Sequence, residues 1–266
     1  EVGTAYTDAG ATALDNYDGD LTSSIVVTGS VDTNTVGTYI LSYDVTDTNG
    51  NVATTVNRTV NVVDTTVPVI TLLGDETLTI EVGTAYTDAG ATALDNYDGD
   101  LTSSIVVTGS VDTNTVGTYI LSYDVTDTNG NVATTVNRTV NVVDTTVPVI
   151  TLLGDETLTI EVGTAYTDAG ATALDNYDGD LTSSIVVTGS VDTNTVGTYI
   201  LSYDVTDTNG NVATTVNRTV NVVDTTVPVI TLLGDETLTI EVGTAYTDAG
   251  ATALDNYDGD LTSSIV

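Results

Sequence analysis

Polar and apolar residues alternate along residues 118–125 of the chain, where Tyr119, Leu121 and Tyr123 occupy every second position. Because successive side chains of a β-strand point to opposite faces, this period of two predicts a strand with one buried face. The same period continues over residues 132–142, where Arg138 interrupts the apolar face. We therefore predict two strands in succession, and Asn129–Gly130 between them predicts a tight hairpin turn with positive φ angles.

The preceding segments predict further short strands. Residues 69–73 and 78–82 are rich in Val, Ile and Leu, and the polar residues 74–76 between them predict a turn. Residues 88–100 lack such a pattern and are expected to be irregular, and residues 105–107 begin another strand. Helix signals are nearly absent. Short strands separated by turn signals are typical of an all-β sandwich, which is the fold class we predict.

The whole pattern repeats without substitution every 80 residues. Self-similarity at a fixed period is the signature of a repeat architecture. The polar linker 64–68 ends in Pro68, which suits the beginning or the edge of a strand, so we place the domain boundary there. This predicts complete domains at 65–144 and 145–224, a partial domain at 1–64 that lacks its first strands, and a partial domain at 225–266 that holds only the first strands.

Composition excludes several classes of function. The chain has no His, no Cys and three Lys+Arg against 38 Asp+Glu, for a formal net charge of −35. It therefore lacks the usual pairs of a catalytic nucleophile with a His base, and it lacks the usual His and Cys ligands of zinc. We predict that it is not an enzyme. Binding to nucleic acid depends on basic residues and is not expected. No apolar run is long enough for a membrane span, so we expect no insertion of this segment into a membrane.

Four sequence strings resemble the bacterial immunoglobulin-like repeats, which are related to hyalin repeats and are cadherin-like in arrangement. They read VPVITLLG, EVGTAYTDAGATALDNYDGDLT, VGTYILSYDVTDTNGNVA and TVNVVD. Within the third string, Tyr119 corresponds to the tyrosine corner of such sandwiches, and Leu121 stands where antibody domains have Cys. The resemblance implies tandem immunoglobulin-like sandwiches in an extracellular cell-surface protein, where such domains serve as stalks or adhesive modules.

Acidic residues recur in two loops and in the linker of each repeat. In a sandwich of this topology, the loops at 95–100 and 124–131 are expected to face the preceding linker. Ca²⁺ takes six to eight oxygen ligands in irregular geometry and fits such a cluster. The alternative is that these residues only form turns, which Asp, Asn and Gly favour. The candidate Ca²⁺ ligands are Asp64, Asp95, Asp98, Asp100, Asp124, Asp127, Asn129, Asp144, Asp175, Asp178, Asp180, Asp204, Asp207 and Asn209.

The sequence thus predicts an extracellular rod or stalk that Ca²⁺ stiffens at the junctions between domains. One alternative is a filament in which one chain supplies strands that another lacks, so that the partners are copies of the chain or neighbouring repeats. Another is a carbohydrate-binding or adhesive accessory module with glycan or cell-surface ligands. Asn57, Asn137 and Asn217 match the N-glycosylation pattern, which is frequent by chance in a chain rich in Thr.

Overall fold

The computed structural model describes residues 1–266 and forms two compact units, Glu1–Val143 and Asp144–Val266. About 41% of the residues lie in strands and 5% in helices, which confirms the all-β fold class. The only helices are single 3₁₀ turns at Thr22–Ser24, Thr102–Ser104, Thr182–Ser184 and Thr262–Ser264. None of them is long enough to cross a lipid bilayer.

The strands of the first unit are β1 (Leu14–Asp15), β2 (Gly19–Asp20), β3 (Val26–Thr28), β4 (Gly37–Asp44), β5 (Val56–Val62), β6 (Val69–Leu72), β7 (Thr77–Glu81), β8 (Ala91–Asp95), β9 (Gly99–Asp100), β10 (Val106–Thr108), β11 (Gly117–Asp124) and β12 (Val136–Val143). Those of the second unit are β13 (Val149–Leu152), β14 (Thr157–Glu161), β15 (Ala171–Asp175), β16 (Gly179–Asp180), β17 (Val186–Thr188), β18 (Gly197–Asp204), β19 (Val216–Val223), β20 (Val229–Leu232), β21 (Ala251–Asp255) and β22 (Gly259–Asp260).

Two sheets form the complete repeat of the first unit. One has the order β10-β11-β12-β7, and the other has the order β6-β8-β9. All pairs are antiparallel except β7 with β12, which is parallel. The second unit repeats this arrangement as β17-β18-β19-β14 and β13-β15-β16. The remaining strands form the sheets β1-β2 and β3-β4-β5 in the first unit and β20-β21-β22 in the second.

The core of this repeat lies between the two sheets. Leu121 and Tyr123 of β11 are 6% and 0% exposed, and they pack with Ile70 of β6 and with Ala91 and Ala93 of β8. The alternation that the sequence shows over 118–125 is therefore confirmed as a buried face. Tyr119 donates a hydrogen bond from its hydroxyl to the carbonyl oxygen of Thr115 at 2.9 Å, which confirms the tyrosine-corner assignment.

Three local predictions were wrong. Residues 88–100 contain β8 and β9 rather than irregular chain, because the small Ala91 and Ala93 fill the core side of β8 without giving a strong apolar signal. In the hairpin, only Gly130 has a positive φ, of 91°, and its N–H donates to the carbonyl oxygen of Asp127. The final strand begins at Val136, and Val132, which is 59% exposed, lies outside it in an isolated bridge with Thr126.

A buried arginine ties the two sheets together. Arg138 is 1% exposed and forms an ion pair with Asp88. It also donates to the hydroxyl of Tyr123 at 3.2 Å and to backbone carbonyl oxygens that include that of Gly90 at 3.2 Å. Burial alone would raise the pKa of Asp88, but hydrogen bonds from Tyr123 and Arg138 lower it. The interruption in the apolar face is thus an internal ion pair, and Arg218 with Asp168 repeats it in the second unit.

Candidate metal centre

The loop between β8 and β9 is shaped by the carboxylate of Asp95. Its Oδ1 accepts hydrogen bonds from the backbone N–H groups of Tyr97 at 2.8 Å and Asp98 at 2.9 Å. This is the local turn bonding that Asp favours. The other oxygen, Oδ2, is buried and has no hydrogen-bond partner. Turn formation therefore explains the contacts of Oδ1 but leaves Oδ2 without a partner.

The hairpin loop after β11 is organised in the same way around Asp127, which is 7% exposed. Its Oδ1 accepts from the N–H groups of Asn129 at 2.9 Å and Asn131 at 2.7 Å, and its Oδ2 accepts from the Asn131 amide at 2.7 Å. Asp98 of the first loop accepts from Thr128 of the second, at 2.8 Å from its N–H. The two loops are thus bonded to each other.

The linker residue Asp64 lies against these loops. Asp64 is one of the most buried acidic residues of the chain and is 5% exposed. Oδ1 accepts from the N–H of Thr66 at 3.2 Å, whereas Oδ2 is buried without a hydrogen-bond partner. The Asn131 amide also donates to the backbone oxygen of Asp64 at 3.2 Å. Asn131 therefore joins the linker to the hairpin loop.

Four carboxylates meet at this point. Asp64, Asp95, Asp98 and Asp127 each place an oxygen within 4.8 Å of the others. The pKa of Asp64 is raised by burial first and then by the negative charges of Asp95 and Asp127. Arg138, the basic residue of this repeat, is engaged by Asp88 in the core. The group therefore holds concentrated negative charge and two unpaired oxygens, an arrangement that a cation stabilises.

The second unit contains the same group, made of Asp144, Asp175, Asp178 and Asp207, again within 4.8 Å. The Asn211 amide donates to the backbone oxygen of Asp144 at 3.2 Å. A third group, Asp224, Asp255 and Asp258, also lies in this unit. Burial and then the charge of Asp255 raise the pKa of Asp224. The geometry therefore recurs with the period of the sequence.

The structure brings eight of the twelve predicted aspartates into these groups, and the other four lie outside them. Asp100 accepts from the N–H of Thr102 at 2.9 Å, and Asp124 accepts from the Thr135 hydroxyl. The Asn129 side-chain oxygen accepts from the Thr128 hydroxyl at 3.2 Å. Their counterparts behave alike: Asp180 bonds to Thr182, Asp204 to Thr215 and Asn209 to Thr208.

Sequence reasoning missed two sets of residues. Asn131 and Asn211 were not singled out, because an amide that joins a linker to a loop cannot be distinguished from a turn residue in one sequence. Asp224, Asp255 and Asp258 were omitted from the candidates, although the 80-residue period identifies them as equivalents of Asp64, Asp95 and Asp98.

A glutamate of the preceding repeat forms hydrogen bonds to the linker residues 65–66 and 225–226. Glu161 accepts hydrogen bonds from the N–H and hydroxyl groups of Thr225 and Thr226, at 2.7 to 3.1 Å. Glu1 bonds in the same way to Thr65 and Thr66. The hydroxyls of Thr225 and Thr226 lower the pKa of Glu161 to about 2. The repeat that precedes each of these linkers thus holds it through a charged side chain.

The lowered pKa of Glu161 makes this contact sensitive to acid. A carboxylate whose pKa is lower in the folded state contributes stability above its ordinary pKa, here 4.5, and loses it as the pH falls through about 2. We expect the amide resonances of Thr225 and Thr226 to shift with a midpoint near the lower value in an NMR titration. Glu161→Gln is expected to remove that transition. A midpoint at the ordinary pKa of Glu would contradict the contact.

The donor set of the carboxylate groups fits Ca²⁺. Each group offers carboxylate oxygens, and the chain has no His or Cys to offer nitrogen or sulfur. Hard cations such as Ca²⁺ prefer oxygen ligands, and Ca²⁺ tolerates the irregular geometry of loops better than Mg²⁺ does. The unpaired oxygens of Asp64 and Asp95 are the groups that such an ion would satisfy.

Comparison with known proteins identifies relatives of this chain. The family described as "Bacterial surface protein, Ig-like domain" matches residues 1–62, 70–142, 150–222 and 230–266. Hyalin from Lytechinus variegatus is 34% identical over 239 residues, which cover 82% of this chain and 44% of that protein. An uncharacterized 81.3 kDa protein of Acholeplasma phage L2 is 35% identical over 215 residues, which cover 75% of this chain and 28% of that protein.

The chain spans less than half the length of these relatives. Among solved structures, domains 4–9 of surface layer protein SbsC are 16% identical, with a TM-score of 0.24 over 84% of this chain and 44% of that one. A lipoprotein from Bacteroides thetaiotaomicron is 20% identical, with a TM-score of 0.28 over 56% of this chain and 97% of that one. The family match and the hyalin relatives confirm the resemblance that the sequence strings carry.

Proposed function

Because the chain belongs to the family of bacterial surface protein Ig-like domains, we propose that it is a non-catalytic spacer of an extracellular surface protein, whose joints are stiffened by Ca²⁺. The coarse part of this function, an extracellular structural or adhesive surface protein, follows from the family and from the hyalin relatives. The calcium-dependent joint is supported by the carboxylate groups.

The first support is the position of the linker between two anchors. In the first unit, Glu1 of the preceding repeat bonds to Thr65 and Thr66, and Asn131 of the following repeat bonds to the backbone of Asp64. The carboxylate group thus contains one residue of the linker and three residues of the repeat that follows it. An ion bound by all four would fix the linker relative to that repeat.

The second support is electrostatic, and it is the observation that carries the proposal. Asp64 and Asp95 each leave a buried oxygen without a hydrogen-bond partner. Two like charges about 5 Å apart repel by roughly 3 kcal/mol at an effective dielectric constant near 20. Four carboxylates in one group therefore loosen the joint unless a cation offsets them. Bound Ca²⁺ would supply positive charge there, and the chain's own residues orient the ligands.

Amide hydrogen exchange tests this proposal on the whole chain. In Ca²⁺ we expect the N–H groups of Thr65 and Thr66 to exchange at least about tenfold more slowly than in chelator, because opening of the linker then requires loss of the ion. Asp64→Asn should remove most of this difference. Exchange rates in these residues that are the same with calcium and with chelator would contradict the proposal.

Filament assembly by strand addition, glycan binding and glycosylation of Asn57, Asn137 and Asn217 stay predictions from the sequence.

A further inference from the structure

The tip of each hairpin loop is an Asn–Gly pair, which in the complete repeat of the first unit is Asn129–Gly130. Both residues are exposed, and Gly130 has a positive φ with open space where a side chain would lie in another residue. The Gly130 N–H donates to the carbonyl oxygen of Asp127 at 3.4 Å, beyond the usual length of such a bond. The pair recurs at 49–50 and 209–210. The backbone nitrogen that follows Asn129 is therefore accessible and weakly held.

The side chain of Asn129 is also loosely held. Its Oδ1 accepts a hydrogen bond from the Thr128 hydroxyl at 3.2 Å. Asn131 differs, because its amide donates to Oδ2 of Asp127 at 2.7 Å and to the backbone oxygen of Asp64 at 3.2 Å. The Asn131 side chain is thus fixed to its neighbours, whereas that of Asn129 is free to rotate toward the nitrogen of the next residue.

An Asn side chain in this position can react with its own backbone. The Gly130 nitrogen attacks Cγ of Asn129, a bond forms between these atoms, and Nδ2 leaves as ammonia with the proton of the Gly130 N–H. Water then opens either carbonyl–nitrogen bond of the cyclic imide that results. Opening at Cγ gives aspartate, and opening at the backbone carbonyl gives isoaspartate. Gly favours ring closure, because it has no side chain in the way and adopts a wide range of backbone angles.

From this geometry we infer that Asn129 and Asn209 are sites of spontaneous deamidation, and that isoaspartate formed there releases the linker from the hairpin loop. The loop is closed by bonds from the Asp127 N–H to the Asn131 carbonyl oxygen at 3.1 Å and from the Asn131 N–H to Asp127 Oδ1 at 2.7 Å. Isoaspartate inserts the Cβ atom of residue 129 into the backbone between them. The Asn131 amide then moves away from the backbone oxygen of Asp64, so the contact with the linker is lost as the protein ages.

Mass spectrometry of the full chain, incubated for weeks in neutral buffer with chelator, measures the reaction. The repeats give the same peptides, so each rate is an average over the copies. We expect the Asn of the Asn–Gly pairs to convert at least about tenfold faster than Asn131 and its equivalents, because the hydrogen bonds of the Asn131 amide must break before it reacts. Equal rates, or no conversion at the Asn–Gly pairs, would overturn the inference.

A variant with Gln at the hairpin tips tests the site. The substitutions Asn49→Gln, Asn129→Gln, Asn209→Gln should abolish most of the ammonia release, because Gln must close a larger ring. The matched control is Asn57→Gln, Asn137→Gln, Asn217→Gln, which changes exposed strand residues that precede Arg. It should release as much ammonia as the wild-type chain. Circular dichroism establishes that both variants fold, and equal release from the two would contradict the assignment of the site.

Hydrogen exchange of the aged chain tests the effect on the linker contact. Fragmentation by electron transfer resolves single amides, and chromatography separates the modified peptides from the unmodified ones. With isoaspartate at the Asn–Gly pair, the Asn131 amide hydrogen should exchange about fivefold faster, because the loss of one hydrogen bond lowers its protection by about that factor. The same rate in both forms of the peptide would show that the linker is not released. The chelator makes the result independent of the proposed calcium site.

Discussion

Replacing Arg138 and Arg218 with Met is expected to destabilise each complete repeat by roughly 3 kcal/mol, the lower end of the range for breaking a buried ion pair. Both arginines are 1% exposed, and each pairs with an aspartate that is 26% to 27% exposed. Without the guanidinium group, Asp88 and Asp168 keep a poorly solvated charge, and the carbonyl oxygen of Leu73 loses the Arg138 donor. Urea unfolding followed by circular dichroism measures the change.

Arg58→Met is the matched control for this prediction. Arg58 forms the equivalent pair with Asp8, but the Arg58 side chain is 34% exposed, and a partly exposed ion pair contributes less because water screens its charges. We expect a clearly smaller loss of stability there. If the three substitutions cost the same, or if the double variant unfolds at the wild-type urea concentration, the ion pair is not the internal brace described above.

Calcium is expected to stabilise the chain. The double substitution Asp64→Asn with Asp144→Asn is expected to have opposite effects in chelator and in calcium. A site that binds only the folded state contributes about 2.7 kcal/mol when free Ca²⁺ is about 100 times its Kd. In chelator, the double substitution should raise the melting temperature, because it removes one charge from each crowded group. In calcium, the same variant should lose most of the gain that the wild-type chain shows.

The control for this prediction is Asp100→Asn with Asp180→Asn, which makes the same change in net charge. These residues lie outside the carboxylate groups and bond to Thr102 and Thr182. We expect the calcium-dependent gain in melting temperature to remain. An equal loss of the gain in both double variants would show that calcium acts on the net charge rather than at the groups.

The sequence predicts most of the fold because the apolar period of two is strong where strands carry large side chains. The alternating positions of Tyr119, Leu121 and Tyr123 predict β11 in this way. It does not predict β8, because Ala91 and Ala93 face the core with side chains too small to give a hydrophobic signal. The hairpin shows a similar limit, since Asn–Gly is compatible with several turn types and only the structure shows that Gly130 alone has a positive φ.

The sequence predicts which loops form the candidate site, but it does not identify the individual ligands. Topology places the linker and two acidic loops together, and Asp64, Asp95 and Asp127 do meet there. Asp100, however, is paired in register with the exposed Leu94 on β8, and this local geometry is invisible in an acidic string. The partner of Arg138 is equally hidden, because Asp88 lies 50 positions away.

Equilibrium dialysis against calcium tests the central claim most directly, because it counts the ions that the folded chain binds. The two groups of four carboxylates predict at least two Ca²⁺ ions for each chain, and Asp64→Asn with Asp144→Asn should lose them while Asp100→Asn with Asp180→Asn retains them. A wild-type chain that binds no calcium, or a loss that is the same for both double variants, would contradict the account.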